Sequence, residues 1–133
     1  MANTFVYDAG LGVIQIDGRY MQDYGEGEFV SWTKDEENFQ HKTSANGTVG
    51  VATSYSQTGT VTYRPMQGSP EIKFLNQLAN SRKSFPVYIN SGGDNPEIVS
   101  GSRCMVKKTP DGSLGTEISA REFEIAVFDY SYE

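Results

Sequence analysis

Arg121-Glu122-Phe123-Glu124-Ile125-Ala126-Val127-Phe128-Asp129-Tyr130 is the stretch on which the fold turns. Phe123, Ile125 and Val127 stand at every second position, with Glu122, Glu124 and Ala126 between them. Successive side chains of a strand point to opposite faces, so this alternation predicts a β-strand with one apolar and one polar face. The same period recurs upstream. Val13-Ile14-Gln15-Ile16-Asp17 ends at Gly18, and Glu28-Phe29-Val30-Ser31-Trp32-Thr33 follows the link Gly25-Glu26-Gly27. Phe85, Val87 and Ile89 alternate with Pro86, Tyr88 and Asn90 before the turn cluster at 91–96, and a long run over 97–109 reaches Pro110-Asp111-Gly112. About seven such runs, bounded by Gly, Pro, Asn and Asp, predict a mostly β protein.

One segment has a different period. Ser69 suits an N-cap, Pro70 the first helical position and Glu71 the positive end of a helix. Ile72, Leu75, Leu78 and Ala79 follow at helical spacing, and Arg82-Lys83 stand at the negative end. The expectation is one α-helix over about 70–83, flanking a β-sandwich or barrel and closing one side of it.

Residues 35–56 read as a protruding hairpin. Asn46-Gly47 suits a two-residue type I′ turn, so its flanks should pair. The first arm has Phe39 as its only large apolar side chain; the second places Val49, Val51 and Tyr55 on one face. A lone two-stranded hairpin is marginal in water. This arm is either a mobile loop or a strand pair completed by a neighbouring subunit, and the second is the expectation, with Lys42, Asn46, Gly47, Val49 and Val51 as candidate contact residues.

The totals bound the function. With 133 residues the chain fits a single domain over 1–133, and a mean hydropathy of -0.49 describes a soluble chain. No run of apolar residues is long enough for a membrane helix, so no membrane binding is expected, and the start Met1-Ala2-Asn3-Thr4-Phe5 predicts no secretion signal. Seventeen acidic against eleven basic residues give -6, which argues against a protein that grips nucleic acid through phosphate contacts. The charge is segregated: -4 over 1–68 (eight acids, four bases), +3 over 69–109 (three acids, six bases) and -5 over 110–133 (six acids, one base). That order suits head-to-tail contact between copies of the chain, or else a solvated surface with no such role.

Catalytic chemistry finds no foothold. His41 is the only histidine and Cys104 the only cysteine, so neither a triad with a spare histidine nor a multi-thiolate metal site can be assembled. His41 is expected to be solvated and Cys104 buried. Gly10-Leu11-Gly12 lacks the third glycine of a dinucleotide fingerprint. Asp35-Glu36-Glu37 reads as acids alternating across a strand and facing water. Glu122 and Glu124 share a face about 6.5–7 Å apart, a separation found in glycoside hydrolases, but no aromatic sugar platform accompanies them. Asn46-Gly47-Thr48 fits a glycosylation sequon without a secretion signal to use it. No enzyme, no cofactor and no metal are expected.

Ser56-Gln57-Thr58-Gly59-Thr60-Val61-Thr62-Tyr63, then Gln67-Gly68-Ser69-Pro70, then Phe74-Leu75 and Leu78 form an ordered pattern. It resembles the tail tube proteins of contractile-tailed bacteriophages, in which a polar hairpin leads into Gly-Thr-Val-Thr and a Gln-x-Ser-Pro opens a hydrophobic helix. Gly27-Glu28-Phe29-Val30-Ser31, the Asn46-Gly47 tip and the strand at 121–125 also fit, so the likeness spans most of the chain. Glu71-Ile72-Lys73 departs from the pattern, where a small polar residue and Asn are common.

The resemblance implies a tail-tube-like domain, a virion structural protein whose homohexameric rings stack into a tube around a lumen that DNA crosses at ejection. It implies partners in the sheath, baseplate and tape measure proteins, DNA only as transiting cargo, and a place in the virion tail after synthesis in the host cytoplasm. Pyocin tubes and the ring protein of type VI secretion share the architecture, so an injection system of that kind is the alternative, and a monomeric ligand-binding β-domain is a further one. A conduit wall that attracted phosphates would slow DNA, so Thr58, Thr60 and Thr62, and the acidic face Glu122 and Glu124, are candidates for the lumen. Lys107 and Lys108 are candidates for opposed charges between stacked rings.

Overall fold

The alternation at 121–130 becomes a central strand of an antiparallel sheet. The computed structural model describes residues 9–22 and 27–133; the N-terminal residues 1–5 and the link at 25–26, both read above, lie outside the described residues. The strands are β1 (Val13–Ile16), β2 (Arg19–Tyr20), β3 (Val30–Lys34), β4 (Phe39–Thr43), β5 (Val49–Thr53), β6 (Gly59–Tyr63), β7 (Phe85–Asn90), β8 (Ile98–Val106), β9 (Phe123–Val127) and β10 (Ser131–Tyr132), with one α-helix, α1 (Pro70–Ser81). Eight of them form one sheet in the order β2-β1-β7-β8-β9-β6-β3, with β10 beside β8; among the described residues β4 and β5 pair only with each other. The protein is mostly β with one flanking helix, as the periodicity predicts.

The core follows from the alternation. Ile14 and Ile16 of β1, Val61 and Tyr63 of β6, Phe85, Val87 and Ile89 of β7, and Phe123, Ile125 and Val127 of β9 are all buried in one cluster. Strands from every part of the sheet share that cluster because the sheet curls. Its two ends face each other across a cleft lined by Val13, Ile14 and Ile89 on one side and Phe29, Val30 and Trp32 on the other. Trp32 also meets Tyr132 edge-on, with ring centroids 5.6 Å apart. The result is a barrel left open at one seam.

β9 and β10 are one track along β8. Val127 lies opposite Cys104, Phe128 donates its amide to Arg103 O at 2.9 Å, and Ser131 lies opposite Ser100 in the same register. The break between them is held by Asp129. Its carboxylate accepts from the amides of Ser102 at 2.9 Å and Arg103 at 3.1 Å, and from the Ser102 hydroxyl. Tyr130, the next residue, lies against Gly59: a Cβ there would stand 2.3 Å from its ring, so only glycine fits beneath it.

The helix begins as its sequence requires. Ser69 is the N-cap and its Oγ accepts from Glu71 N at 3.2 Å, with Pro70 in the first turn. Leu75 and Leu78 are buried in the core, and Ile72 and Phe74 pack against it partly exposed. The helix stops at Ser81, two residues before its expected end, because Arg82 turns left-handed at φ 55 and donates its amide to Ala79 O. Arg82 and Lys83 therefore lie past the last turn. Glu71 does more than favour the helix dipole. It is buried and bonded to Arg19 of β2 at 2.8 Å, and the Arg19 guanidinium sits 4.8 Å from the centre of the Phe74 ring. That clasp fixes the β1–β2 hairpin to the helix.

Candidate assembly surfaces

The β4–β5 hairpin grows out of the sheet. β3 and β6 pair from Val30–Tyr63 to Lys34–Gly59, and Asp35 still donates its amide to Thr58 O at 3.1 Å. The register then slips by one residue: Ser54 N bonds to Asn38 O at 2.8 Å, and β4 and β5 pair from Phe39–Thr53 to Thr43–Val49. The ribbon thus prolongs β3 and β6 past the edge of the domain, by about 16 Å over five residues at about 3.3 Å each. Every residue of both its strands is exposed. Lys42, Val49 and Val51 lie on it, and Asn46 and Gly47 lie at its tip.

The tip is not the expected two-residue turn. Ser44 N bonds to Thr48 O at 2.8 Å and Gly47 N to Ser44 O at 3.0 Å, which leaves a three-residue loop, Ala45-Asn46-Gly47. Gly47 alone in it takes a positive φ, +90, as the left-handed residue of such a loop, and Asn46 is not needed for that task. Asn46 instead holds the Ser44 hydroxyl through its Oδ1. Asp35-Glu36-Glu37 is likewise no strand but the link between β3 and β4, and all three acids are exposed. The ribbon has two unlike faces. Phe39, His41 and Thr43 share one with Val49, Val51 and Thr53; Gln40, Lys42, Gly50 and Ala52 form the other. Tyr55, expected beside Val51, lies beyond the paired strands.

The two candidate lumen faces are one face. β6 and β9 are neighbours, Thr62 lies opposite Glu124 and Thr60 opposite Ala126, and both threonines are half-buried on the outer side. Thr60 donates its hydroxyl to Asp35 Oδ1 at 2.9 Å, and Thr58 Oγ1 lies 3.4 Å from Ser56 Oγ at the end of the same strand. Glu122 sits just before β9, exposed, with its Oε2 3.9 Å from Arg64 Nε. Arg64 also reaches Glu28 and Ser31 Oγ, at 3.5 and 3.4 Å. Among the described residues this face joins hydroxyls to charges: the acids Glu28, Glu122 and Glu124 pair with the bases Arg64 and Lys107, and Asp35 accepts from the Thr60 hydroxyl.

Lys107 belongs to this face. Its Nζ lies 3.9 Å from Glu124 Oε2 and 3.4 Å from Thr60 Oγ1, so its charge is met within the chain. Lys108 shares a shallow depression with Asp111, Glu122 and Glu124. Both lysines open the connection from β8 to β9, a long stretch without helix or strand. Its feet are pinned. Arg121 donates to Ser113 O at 2.6 Å and to Ser119 Oγ at 2.9 Å, and Gln67 exchanges backbone and side-chain bonds with Ser113 and Ser119. Gln67, the first residue of the Gln-x-Ser-Pro motif, thus ties this loop to the start of the helix.

Cys104 is buried, and burial first, then the nearby Asp129 charge, push its thiol up to about 12. Asp129 is held below the usual carboxylate value chiefly by the Ser102 hydroxyl, with the Ser102 and Arg103 amides adding to it. Tyr132 is raised, mainly because it donates its hydroxyl to Glu97. Among the described residues no three His, Cys, Asp or Glu side chains gather to hold a metal. His41 is exposed on the ribbon, with its ring 6.2 Å from that of Phe39.

The fold matches solved structures of contractile injection systems. The cap that terminates the tube of the anti-feeding prophage matches with a TM-score of 0.64 at 11% identity, covering 100% of this chain and 94% of that one. The sheath/tube terminator of an extracellular contractile injection system, PVC, matches at 0.65 and 12%, covering 99% of each chain. A chain of the sheath–tube complex of the same system matches at 0.63 and 12%, covering 96% and 91%. No protein-family model matches the sequence. No curated protein matches it. The chain has the tube-related fold of contractile tails.

Proposed function

We propose that this chain is a structural subunit of a contractile-tail tube and acts by self-assembly into stacked hexameric rings. The observation that carries this reading is the β4–β5 ribbon. It is a two-stranded hairpin with an apolar face of Phe39, Val49 and Val51 that none of the described residues buries. A hairpin of that size is marginal alone, so a covering surface on another subunit supplies what its own chain does not. The fold shared with tube and tube-terminator chains supports the same reading.

In the assembled tube the outer face of β6 and β9, with Thr58, Thr60, Thr62, Glu122 and Glu124, lines the lumen. Hydroxyls and a net-acidic set of charges there offer transiting DNA little to bind. Sheath, baseplate and tape measure proteins are the partners of such a tube, and the virion tail its place. A second reading rests on the matches to extracellular injection particles and to tube terminators: the tube carries a cargo other than DNA, or the chain ends a tube instead of extending it.

Electron microscopy and sedimentation of the purified chain test this. Rings and stacks are expected for the wild type, and only monomers when residues 38–54 are replaced by a short turn. A terminator gives single rings that do not elongate. A 14.7 kDa species at every concentration sinks the assignment.

A further inference from the structure

Three aromatic side chains meet where the ribbon leaves the body. Trp32 of β3, Tyr130 before β10 and Tyr132 of β10 line a shallow depression of about 600 Å³, together with Lys34 and Asn38. That is room enough for a small ligand. Trp32 and Tyr132 stand nearly perpendicular, with 78° between their planes and centroids 5.6 Å apart, so the two rings form a corner. Trp32 and Lys34 share one face of β3, about 6.5–7 Å apart along the strand. Lys34 lies opposite Gly59, over which the Tyr130 ring sits, so the third ring stands beside the lysine. The depression also carries opposite charges at its two ends. Tyr132 donates its hydroxyl to Glu97 Oε2 at 2.8 Å, which sets a carboxylate at the aromatic corner. Lys34 gives one Nζ hydrogen to Asn38 Oδ1, and an ammonium has two more to offer.

We propose that this depression binds a small zwitterion of the phosphocholine class, a quaternary ammonium with an anion beside it. Aromatic faces attract such a cation, which has no N–H groups to satisfy, and the Glu97 carboxylate adds to the attraction. Lys34 meets the anion through its remaining donors in a charge-assisted contact. A sugar ring would need one broad aromatic platform, and two perpendicular rings do not offer one. The site lies at the root of the ribbon, off its paired strands, and needs no second subunit to be complete.

Trp32 is the only tryptophan of the chain, so its fluorescence reads the site directly. The full chain is titrated with phosphocholine, choline and inorganic phosphate. A saturable change is expected with phosphocholine at about millimolar concentration or below, a weaker one with choline and none with phosphate. Tyr132→Leu removes an exposed wall of the corner and should weaken phosphocholine about tenfold. Lys34→Gln should leave choline binding unchanged and bring phosphocholine down to it, a split that a general loss of structure would not give. Thermal unfolding confirms that both variants are folded. Pelleting with phosphatidylcholine vesicles and not with phosphatidylglycerol vesicles supports a lipid headgroup as the source; a response to soluble phosphocholine without pelleting supports a free solute. No saturable change up to about 10 mM phosphocholine, an equal response to phosphate alone, or an unchanged affinity in either variant overturns the proposal and leaves the tube reading standing.

Discussion

β9 and β5 are five-residue antiparallel strands, and they differ in what covers them. In β9 the apolar residues Phe123, Ile125 and Val127 are buried, and the strand has neighbours on both sides. In β5 the apolar residues Val49 and Val51 are exposed, and among the described residues its one neighbouring strand is β4. Alternation therefore specifies a face without specifying that the same chain covers it. The body holds itself together through a shared core; the ribbon has backbone pairing and little else, so its stability is open to a partner.

Thiol chemistry should show the largest contrast. The thiolate is the reactive form, and Cys104 is both buried and pushed up to about 12. At neutral pH it should react with a maleimide only as fast as the body opens, whereas a cysteine placed at Val51 should react like a free thiol. A rate ratio of roughly 10³ or more is expected for a domain of ordinary stability. Labelling of native Cys104 on the time scale of the Val51→Cys variant would show that the body opens as freely as the ribbon.

Truncation makes the same comparison in free energy. Phe123→Ala removes a fully buried ring and should cost about 3–5 kcal/mol in denaturant unfolding. Val51→Ala should stay within about 0.5 kcal/mol in the unassembled chain. The comparison breaks if the two costs are similar, because Val51 would then have a partner at home.

The sequence makes this division partly legible. Period-2 runs place β1, β3, β7, β8 and β9, Ser69-Pro70 fixes the helix start, and the thin apolar content of 39–53 marks the ribbon as different. Strand order is not local information: Thr60–Thr62 and Glu122–Glu124 look like separate faces until β6 and β9 are known to be neighbours. The Arg19–Glu71 pair and the Asp129 cap join residues far apart in sequence and leave no periodic trace. One missed feature did carry a local signal. Asp17-Gly18 is a hairpin dipeptide, and with φ of 52 and 77 it turns β1 into β2. At Asn46 the opposite happened, since the dipeptide suited a tighter turn than the chain makes.

Asp129 sharpens the contrast by giving the body a pH dependence of its own. Asp129→Ala leaves the amides of Ser102 and Arg103 without their acceptor and should cost about 1–3 kcal/mol. Its carboxyl is held below its ordinary 3.8, so its contribution is present above that value and is lost as pH falls through the lower folded value. Acid unfolding of wild type below about pH 4 should therefore be steeper than that of Asp129→Asn. Equal slopes would show that the carboxylate is not what holds the break between β9 and β10.

The smallest effect concerns charge, at the end of the body opposite the ribbon. Lys107→Glu with Lys108→Glu sets new acids beside Glu122 and Glu124, with Lys107 already paired to Glu124 at 3.9 Å. Exposed pairs contribute about 0–1 kcal/mol, so the unassembled double variant should unfold within about 1 kcal/mol of wild type. A ring junction repeats each contact by symmetry: six copies of about 0.5 kcal/mol amount to about 3 kcal/mol, roughly a hundredfold in the stacking constant. Shorter stacks at low salt are the expected outcome, with the difference fading as added salt screens exposed charges. The in-chain partner of Lys107 argues for a part of that effect only, so separate reversals should show Lys108 to be the larger contributor. Stacks of equal length at both salts would mean that the two lysines serve their own face of the sheet, and that apolar contacts alone join the rings.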